Sequence, residues 1–350
     1  MTALPVIRTR PRGAPSAAPE MPVAGPLVDR FGRVHRDLRI SLTDRCSLRC
    51  TYCMPEQGNE WLARQSILTA DEIERVARVA AGLGITTFRL TGGEPLLRRD
   101  LVDVVGRLSR IGGVEVAMTT NAIGLERMLP ALRGAGLSRL NISLDTLRAD
   151  RFRELTRRDR LGDVIRGIRA AAESGMPGLK LNAVAMRGVN DDELVDLVEF
   201  AISVGAQMRF IEQMPLDAGH TWSRENMVTR EEILEALSAR WALAPIPGRG
   251  GAPAETWRID GGEHRVGVIA SVTAPFCGAC DRMRLTADGQ LRNCLFSEVE
   301  NDLVPALRGS APDAEIAMRL RASVWGKLPG HAINDPSFLQ PTRGMNAIGG

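Results

Sequence analysis

Lysine is almost missing from this chain: of 45 basic residues only Lys180 and Lys327 are lysines, and the rest are arginine. Where arginine serves everywhere else, two retained ammonium groups mark places suited to a compact cation. Aromatic residues make up only 4%, and Tyr52 is the single tyrosine. Stacking platforms are therefore few, and a net charge of +3 is too small for a phosphate-backbone footprint, which excludes nucleic-acid binding as the main role. The slight basic excess fits a small anionic ligand better. No apolar run is long enough to cross a bilayer, and no apolar signal core supports export, so neither membrane nor secreted location is expected. Residues 1–28, rich in Pro, Ala and Arg, read as a disordered leader of a cytoplasmic protein.

Six cysteines are present, in two sets of three. Cys46, Cys50 and Cys53 form C-x3-C-x2-C just past an apolar run; Cys277, Cys280 and Cys294 form C-x2-C-x13-C. In a reducing compartment such clusters are metal ligands or catalytic groups more often than disulfides. A structural zinc wants four ligands, and no histidine lies near enough in sequence to complete the first set. Iron–sulfur clusters are held by cysteine thiolates, usually four. Three close cysteines leave one iron free to bind another ligand, which makes a reaction centre rather than an electron relay. For the second set alone, a zinc with a distant fourth ligand stays open.

After the leader, strand patterns at 37–42, 86–90, 114–119, 138–144, 179–185 and 207–213 alternate with helical patterns near 69–83, 99–111, 125–135, 161–175 and 191–204. Thr69-Ala-Asp-Glu72 is a capping box that fixes the first helix start. Six β-α repeats predict a parallel sheet with right-handed crossovers: an α/β fold, an incomplete (β/α)6 TIM-like barrel. The barrel is expected over 29–245. A helix near 229–241 leads to a Pro/Gly linker at 245–253. A smaller C-terminal α+β domain is expected over 246–350, carrying the second cysteine set and a short helix near 312–324. The distinctive residues, Lys180 included, are expected at the C-terminal rim, where β/α barrels build active sites.

Thr91-Gly92-Gly93-Glu94-Pro95 follows the second strand. Its glycines would let backbone approach a ligand, although any tight strand–helix turn has the same composition. Cys280-Asp-Arg282-Met-Arg284 alternates two guanidiniums along an extended segment, so both point one way and suit phosphate oxygens. A solvated strand face would read the same. The Gly349-Gly350 ending reads physically as a frayed terminus.

At its first cysteine triplet and Gly-Gly-Glu-Pro loop the chain resembles the radical S-adenosylmethionine (SAM) superfamily. With Asp29-Arg-Phe-Gly-Arg-Val-His35, Leu38–Cys46, the second cysteine set and the ending Phe338–Gly350, it resembles within it the GTP 3′,8-cyclases that open molybdenum cofactor biosynthesis. The resemblance covers about residues 28–350. It implies two [4Fe–4S] clusters, the first on Cys46, Cys50 and Cys53 with SAM, the second on Cys277, Cys280 and Cys294 with substrate. It implies SAM contacts at Tyr52, Gly93, Ser143 and Met214, although Tyr52 would equally serve packing. GTP contacts are implied at Arg39, Arg89, Thr119, Lys180, Arg282 and Arg284, with the Gly349–Gly350 tail assisting in the site.

The implied chemistry is one-electron cleavage of SAM, hydrogen removal from C3′ of GTP, and attack of that carbon on C8 of guanine. A reducing partner such as flavodoxin or ferredoxin, handover of product to cyclic pyranopterin monophosphate synthase, and a homodimer are further implications. One position departs from the family: Ala122 follows Thr-Thr-Asn121 where many members have glycine. Two other readings stand beside this one: a different two-cluster radical SAM enzyme, such as a peptide-modifying maturase, and a zinc-stabilised binding module.

Overall fold

The computed structural model describes residues 20–349 apart from 59, 218 and 337. Strands β1 (Asp37–Ser41), β2 (Thr87–Thr91), β3 (Glu115–Thr120), β4 (Arg139–Ser143), β5 (Lys180–Ala185) and β6 (Gln207–Glu212) lie side by side in chain order. All five pairings between them are parallel. Helices α1 (Ala70–Gly82), α2 (Leu101–Ser109), α3 (Leu125–Gly134), α4 (Ala149–Thr156), α5 (Leu161–Glu173), α6 (Leu194–Ser203) and α7 (Arg230–Ser238) follow the strands. Thr69 and Glu72 close the expected capping box on α1, and Thr229 with Glu232 makes a second on α7. The sheet is open, as an incomplete barrel requires.

The central strands alternate, most regularly in β1, β2 and β4. Leu38 and Ile40, Phe88 and Leu90, Val116 and Met118, Leu140 and Ile142 are buried in one continuous core beneath the helices. The intervening positions are polar: Asp37, Arg39 and Ser41 on β1; Thr87, Arg89 and Thr91 on β2; Arg139, Asn141 and Ser143 on β4. Alternate side chains face opposite sides of a sheet, so the polar set lines the barrel bore. Ordinary β/α barrels fill that space with branched apolar residues. Here the bore is built to be polar.

The last third of the chain adds β7 (Leu243–Ile246), β8 (Glu255–Ile259), β9 (Arg265–Ile269), β10 (Arg282–Leu285), β11 (Gln290–Arg292) and β12 (Asn301–Asp302), with α8 (Val304–Arg308), α9 (Asp313–Trp325) and α10 (Met345–Ile348). Its strands are continuous with the barrel sheet. Strand β9 pairs in parallel with β6, and β10 pairs in parallel with β1, so both edges are extended. Pro245 and Ile246 belong to β7, so the expected linker opens as a strand. Helix α4 was not legible in the sequence: half of its span is charged, and only Phe152, Leu155 and Thr156 are buried.

Of the expected leader, residues 1–19 lie outside the described residues. Leu27, also placed in it, is fully buried, and its amide donates to Leu83 O at 2.9 Å. Among the described residues no helix is long and apolar enough to cross a membrane.

Candidate active site

The first cysteine loop leaves the C-terminal end of β1 and is held by backbone contacts. Arg49 N donates to Thr156 O at 2.9 Å and Thr51 N to Leu155 O at 3.0 Å, at the end of α4. Arg157, in the left-handed region with φ 55°, returns its guanidinium to Arg49 O and Met54 O. Cys46, Cys50 and Cys53 are free thiols of intermediate exposure. Burial pushes all three up, Cys46 to about 11 and Cys53 to about 12, with Glu94 adding to the first and Cys46 to the second. Bare thiolates are therefore unfavourable here, as expected where a cation supplies the missing charge. Among the described residues no three His, Cys, Asp or Glu side chains converge on one ion position. A cluster takes one thiolate per iron and so suits wider-set thiols than zinc does.

The Gly-Gly-Glu-Pro loop sits against this one, and its glycines are demanded by the protein itself. A Cβ at Gly92 would meet Thr43 O at 2.4 Å, and one at Gly93 would meet Arg45 O at 2.2 Å. Gly93 N donates to Thr43 O and Glu94 N to Arg45 O, joining the loops. Glu94 is buried and accepts from Leu96 N, Thr120 Oγ1 and Asn121 N at 2.6–3.0 Å. Burial raises its carboxyl to about 6 against those donors. Asn121 reaches on to Ser47 Oγ at 2.9 Å. Ala122, at the position where glycine was expected, has φ 63°, is fully buried, and lies against Gly167. A left-handed backbone favours glycine; alanine holds it at a cost of about 1 kcal/mol.

Tyr52 donates to Asp145 Oδ2 at 2.7 Å, and Asp145 also accepts from Val184 N, so the cysteine loop is tied to the ends of β4 and β5. Ser143 ends β4 in register with Asn182, whose Oδ1 is buried without a partner. Met214 packs on a small apolar cluster of Met227, Val272 and Ile333. Glu212, fully buried at the end of β6, accepts from Arg230 N, Val272 N and Thr273 N.

Below this rim the bore is cationic. Arg284, Arg39 and Arg89 stand in one row across β10, β1 and β2, with Arg282 beside Asp37 one step below. Burial drives Arg39 well below the usual arginine value, and Arg284 and Arg282 push it further. Burial, then Arg282, brings Arg284 to about 10. The Nε atoms of Arg39, Arg89, Arg139, Arg209 and Arg282 are buried without partners. Such orphaned donors are costly unless an anion satisfies them.

Lys180 is not on the C-terminal rim, as its grouping with the rim motifs had it. It opens β5 at the opposite end. There burial lowers its ammonium to about 8, helped by Arg209, Arg139 and Arg89. Arg139 and Arg209 were missed in the sequence, although both fall on the polar phase of their strands. Thr119 sits on β3 in register with Asn141.

The second cysteine set lies at that N-terminal end. Cys277 and Cys280 precede Arg282, and Cys294 follows Arg292 of β11. The Asp29–His35 segment, whose role the sequence left open, holds this loop. Asp29 takes Arg33 Nε at 2.5 Å, and Arg33 donates to Cys277 O at 2.7 Å and Leu328 O at 2.8 Å. Burial would raise the Cys280 thiol, but Arg282 and Lys327 outweigh it and bring Cys280 down to about 7. Cys277 is raised by burial. In metal-free protein at pH 7.5, iodoacetamide should therefore label Cys280 well ahead of Cys46, Cys50, Cys53 and Cys277, because only thiolates react. Mass-spectrometric mapping checks this; even labelling of the five would refute it.

The terminus is not frayed. Helix α10 brings Asn346 Nδ2 to Asp44 O at 3.0 Å, and Arg343 pairs with Asp288 and Glu300. Gly349 is buried beside Ser41 and Thr91, and its carbonyl accepts from Arg284 Nη1. Gly350 lies outside the described residues.

Two three-cysteine sets thus stand at opposite ends of a polar, cationic bore. Residues 40–201 match the Radical SAM superfamily, and residues 206–333 match the family described as Molybdenum Cofactor Synthesis C. A GTP 3′,8-cyclase of Streptomyces coelicolor is 56% identical over 93% of this chain and 96% of its own length. The chain belongs to the GTP 3′,8-cyclase family. A member from Mycolicibacterium smegmatis is 50% identical over 99% of this chain and 97% of that protein, and one from Corynebacterium glutamicum 51% over 93% and 89%. Among solved structures, Streptococcus suis SuiB bound to S-adenosylmethionine superposes with a TM-score of 0.59 at 16% identity. It covers 88% of this chain and 67% of that one, a likeness of fold alone. Family membership sets aside the maturase and zinc-module readings.

Proposed function

We propose that this protein converts GTP to (8S)-3′,8-cyclo-7,8-dihydroguanosine 5′-triphosphate, the first step of molybdenum cofactor biosynthesis. The observation that carries the reading is the row of buried arginines between the two thiol sets, in which the Nε atoms of Arg39 and Arg89 have no partner. The thiols of Cys46, Cys50 and Cys53 and of Cys277, Cys280 and Cys294 suit two [4Fe–4S] clusters, and Ser143, Asn182 and Met214 face the region open to SAM, with Gly93 and Tyr52 shaping its wall.

When bound, the first cluster and SAM supply one-electron cleavage and hydrogen abstraction from the ribose. Arg39, Arg89, Arg282, Arg284 and Lys180, with Arg139 and Arg209, neutralise the triphosphate; bidentate guanidinium–phosphate contacts fix its orientation. Thr119 offers a hydroxyl on the bore wall. This clamp holds C3′ toward the C-terminal rim and the purine toward the second cysteine set, so the new bond joins C3′ to C8. The enclosing walls exclude water from the reacting carbon. An external one-electron donor such as flavodoxin or ferredoxin, handover to cyclic pyranopterin monophosphate synthase, homodimerisation and a cytoplasmic location belong to the same reading.

An anaerobic turnover assay on reconstituted protein, with SAM and a strong reductant, tests it. 5′-Deoxyadenosine formed in step with GTP loss is expected; GTP-independent formation alone would overturn the substrate. Cys277→Ser should lose the second cluster's iron, keep the first, and no longer cyclise GTP.

A further inference from the structure

Lys327 is one of only two lysines in the chain, and it is 3% exposed in the turn after α9. Its ammonium donates to Arg282 O at 2.7 Å and to Cys280 Sγ at 3.4 Å. Arg282 Nη2 reaches the same sulfur at 3.4 Å while its guanidinium lies 4.5 Å over the Phe276 ring. A buried ammonium is strongly disfavoured without a counter-charge. Its favourable charge partners are the sulfurs of Cys280 and Cys294, while Arg282 beside it opposes it. The surrounding loop is fixed independently by Arg33 on Cys277 O, Leu328 O and Pro329 O. The lysine is therefore not needed merely to hold the turn.

We propose that Lys327 is a positioning and charge-setting residue for the second iron–sulfur cluster, donating to the Cys280 thiolate from outside the ligand set. This rests on the two-cluster reading above. Hydrogen bonds and positive charge at a ligating sulfur draw electron density from the cluster and raise its reduction potential. A compact ammonium reaches sulfur and carbonyl together in a space where a planar guanidinium already occupies one side.

The test uses the full chain with Cys46, Cys50 and Cys53 changed to serine, so that only the second cluster reports, and follows its reduction by EPR in a redox titration. Lys327→Met should keep iron and sulfide but become harder to reduce, and Lys327→Arg should move the potential back toward the parent. An unchanged potential at full iron content overturns the proposal. Should Lys327→Met hold no iron, Lys327→Gln, which keeps a donor without charge, carries the comparison. Loss of iron in both makes the residue purely structural and also overturns it. A parent protein without iron in this site would instead overturn the two-cluster reading.

Discussion

Gly93→Ala is expected to empty the first iron–sulfur site and abolish 5′-deoxyadenosine formation. The backbone there is not in the left-handed region, so the objection is one of space alone. The added methyl would stand 2.2 Å from Arg45 O, 2.5 Å from Arg45 C and 2.6 Å from Asp44 O. All three are main-chain atoms, which cannot swing aside as a side-chain tip can. The two loops must separate, breaking Gly93 N to Thr43 O at 2.7 Å and Glu94 N to Arg45 O at 2.8 Å. Overpacking costs about 1–3 kcal/mol, and two lost buried hydrogen bonds add about 1 kcal/mol each. The strain falls on the segment leading into Cys46. Iron and sulfide analysis with thermal unfolding of the metal-free protein checks this; full iron content and an unchanged melting temperature would sink it.

Gly349→Val should uncouple the two halves of the reaction. Gly349 has φ 85°, and a Cβ there would meet Ser41 Oγ at 2.9 Å and Thr91 Cγ2 at 3.0 Å. A β-branched residue fits neither the backbone nor the space. The last residues should withdraw, and Arg284 would lose the carbonyl that now fixes it. Asn346 still reaches Asp44 O from the preceding turn, and the Cys46 loop is held besides by Thr156 O, Leu155 O and Arg157, so SAM cleavage should continue. Cyclisation should fall by roughly 100-fold, the usual consequence of a reacting group displaced by about 1 Å. The ratio of cyclised product to 5′-deoxyadenosine reads the effect, and an unchanged ratio would show the tail to be passive.

The six central strands were legible to within a residue or two because they largely share one alternation, apolar toward the helices and polar toward the bore, broken at Ala117, Val184 and Ile211. That alternation also puts Arg39 and Arg89, implied by the resemblance alone, on the bore wall, and could have disclosed Arg139 and Arg209. Lys180 was assigned to the wrong end although the strand pattern at 179–185 already put it near the strand's start; it was grouped with the rim motifs by residue type rather than by position. The glycines of the Gly92–Gly93 turn were legible as a demand, but its source was not: the clash is with Thr43 and Arg45, some fifty residues away. The buried terminus was invisible to local physics for the same reason, since Ser41, Thr91 and Arg284 surround it. The two lysines both sit at the far end of the bore, one in its wall and one beneath Cys280.

The pairing of β10 with β1 joins residues Asp37–Ile40 to Arg282–Leu285. A ribosome must therefore deliver most of the chain before the first strand acquires its outer neighbour. Until then β1 is a bare edge able to pair with another nascent chain, and closure waits on contacts of very long sequence separation, which form slowly. The arginine row is assembled by that same late pairing, because Arg284 joins Arg39 only when β10 docks. The nucleotide-binding bore is thus among the last features of the molecule to exist, completed only when the C-terminal third has been synthesised.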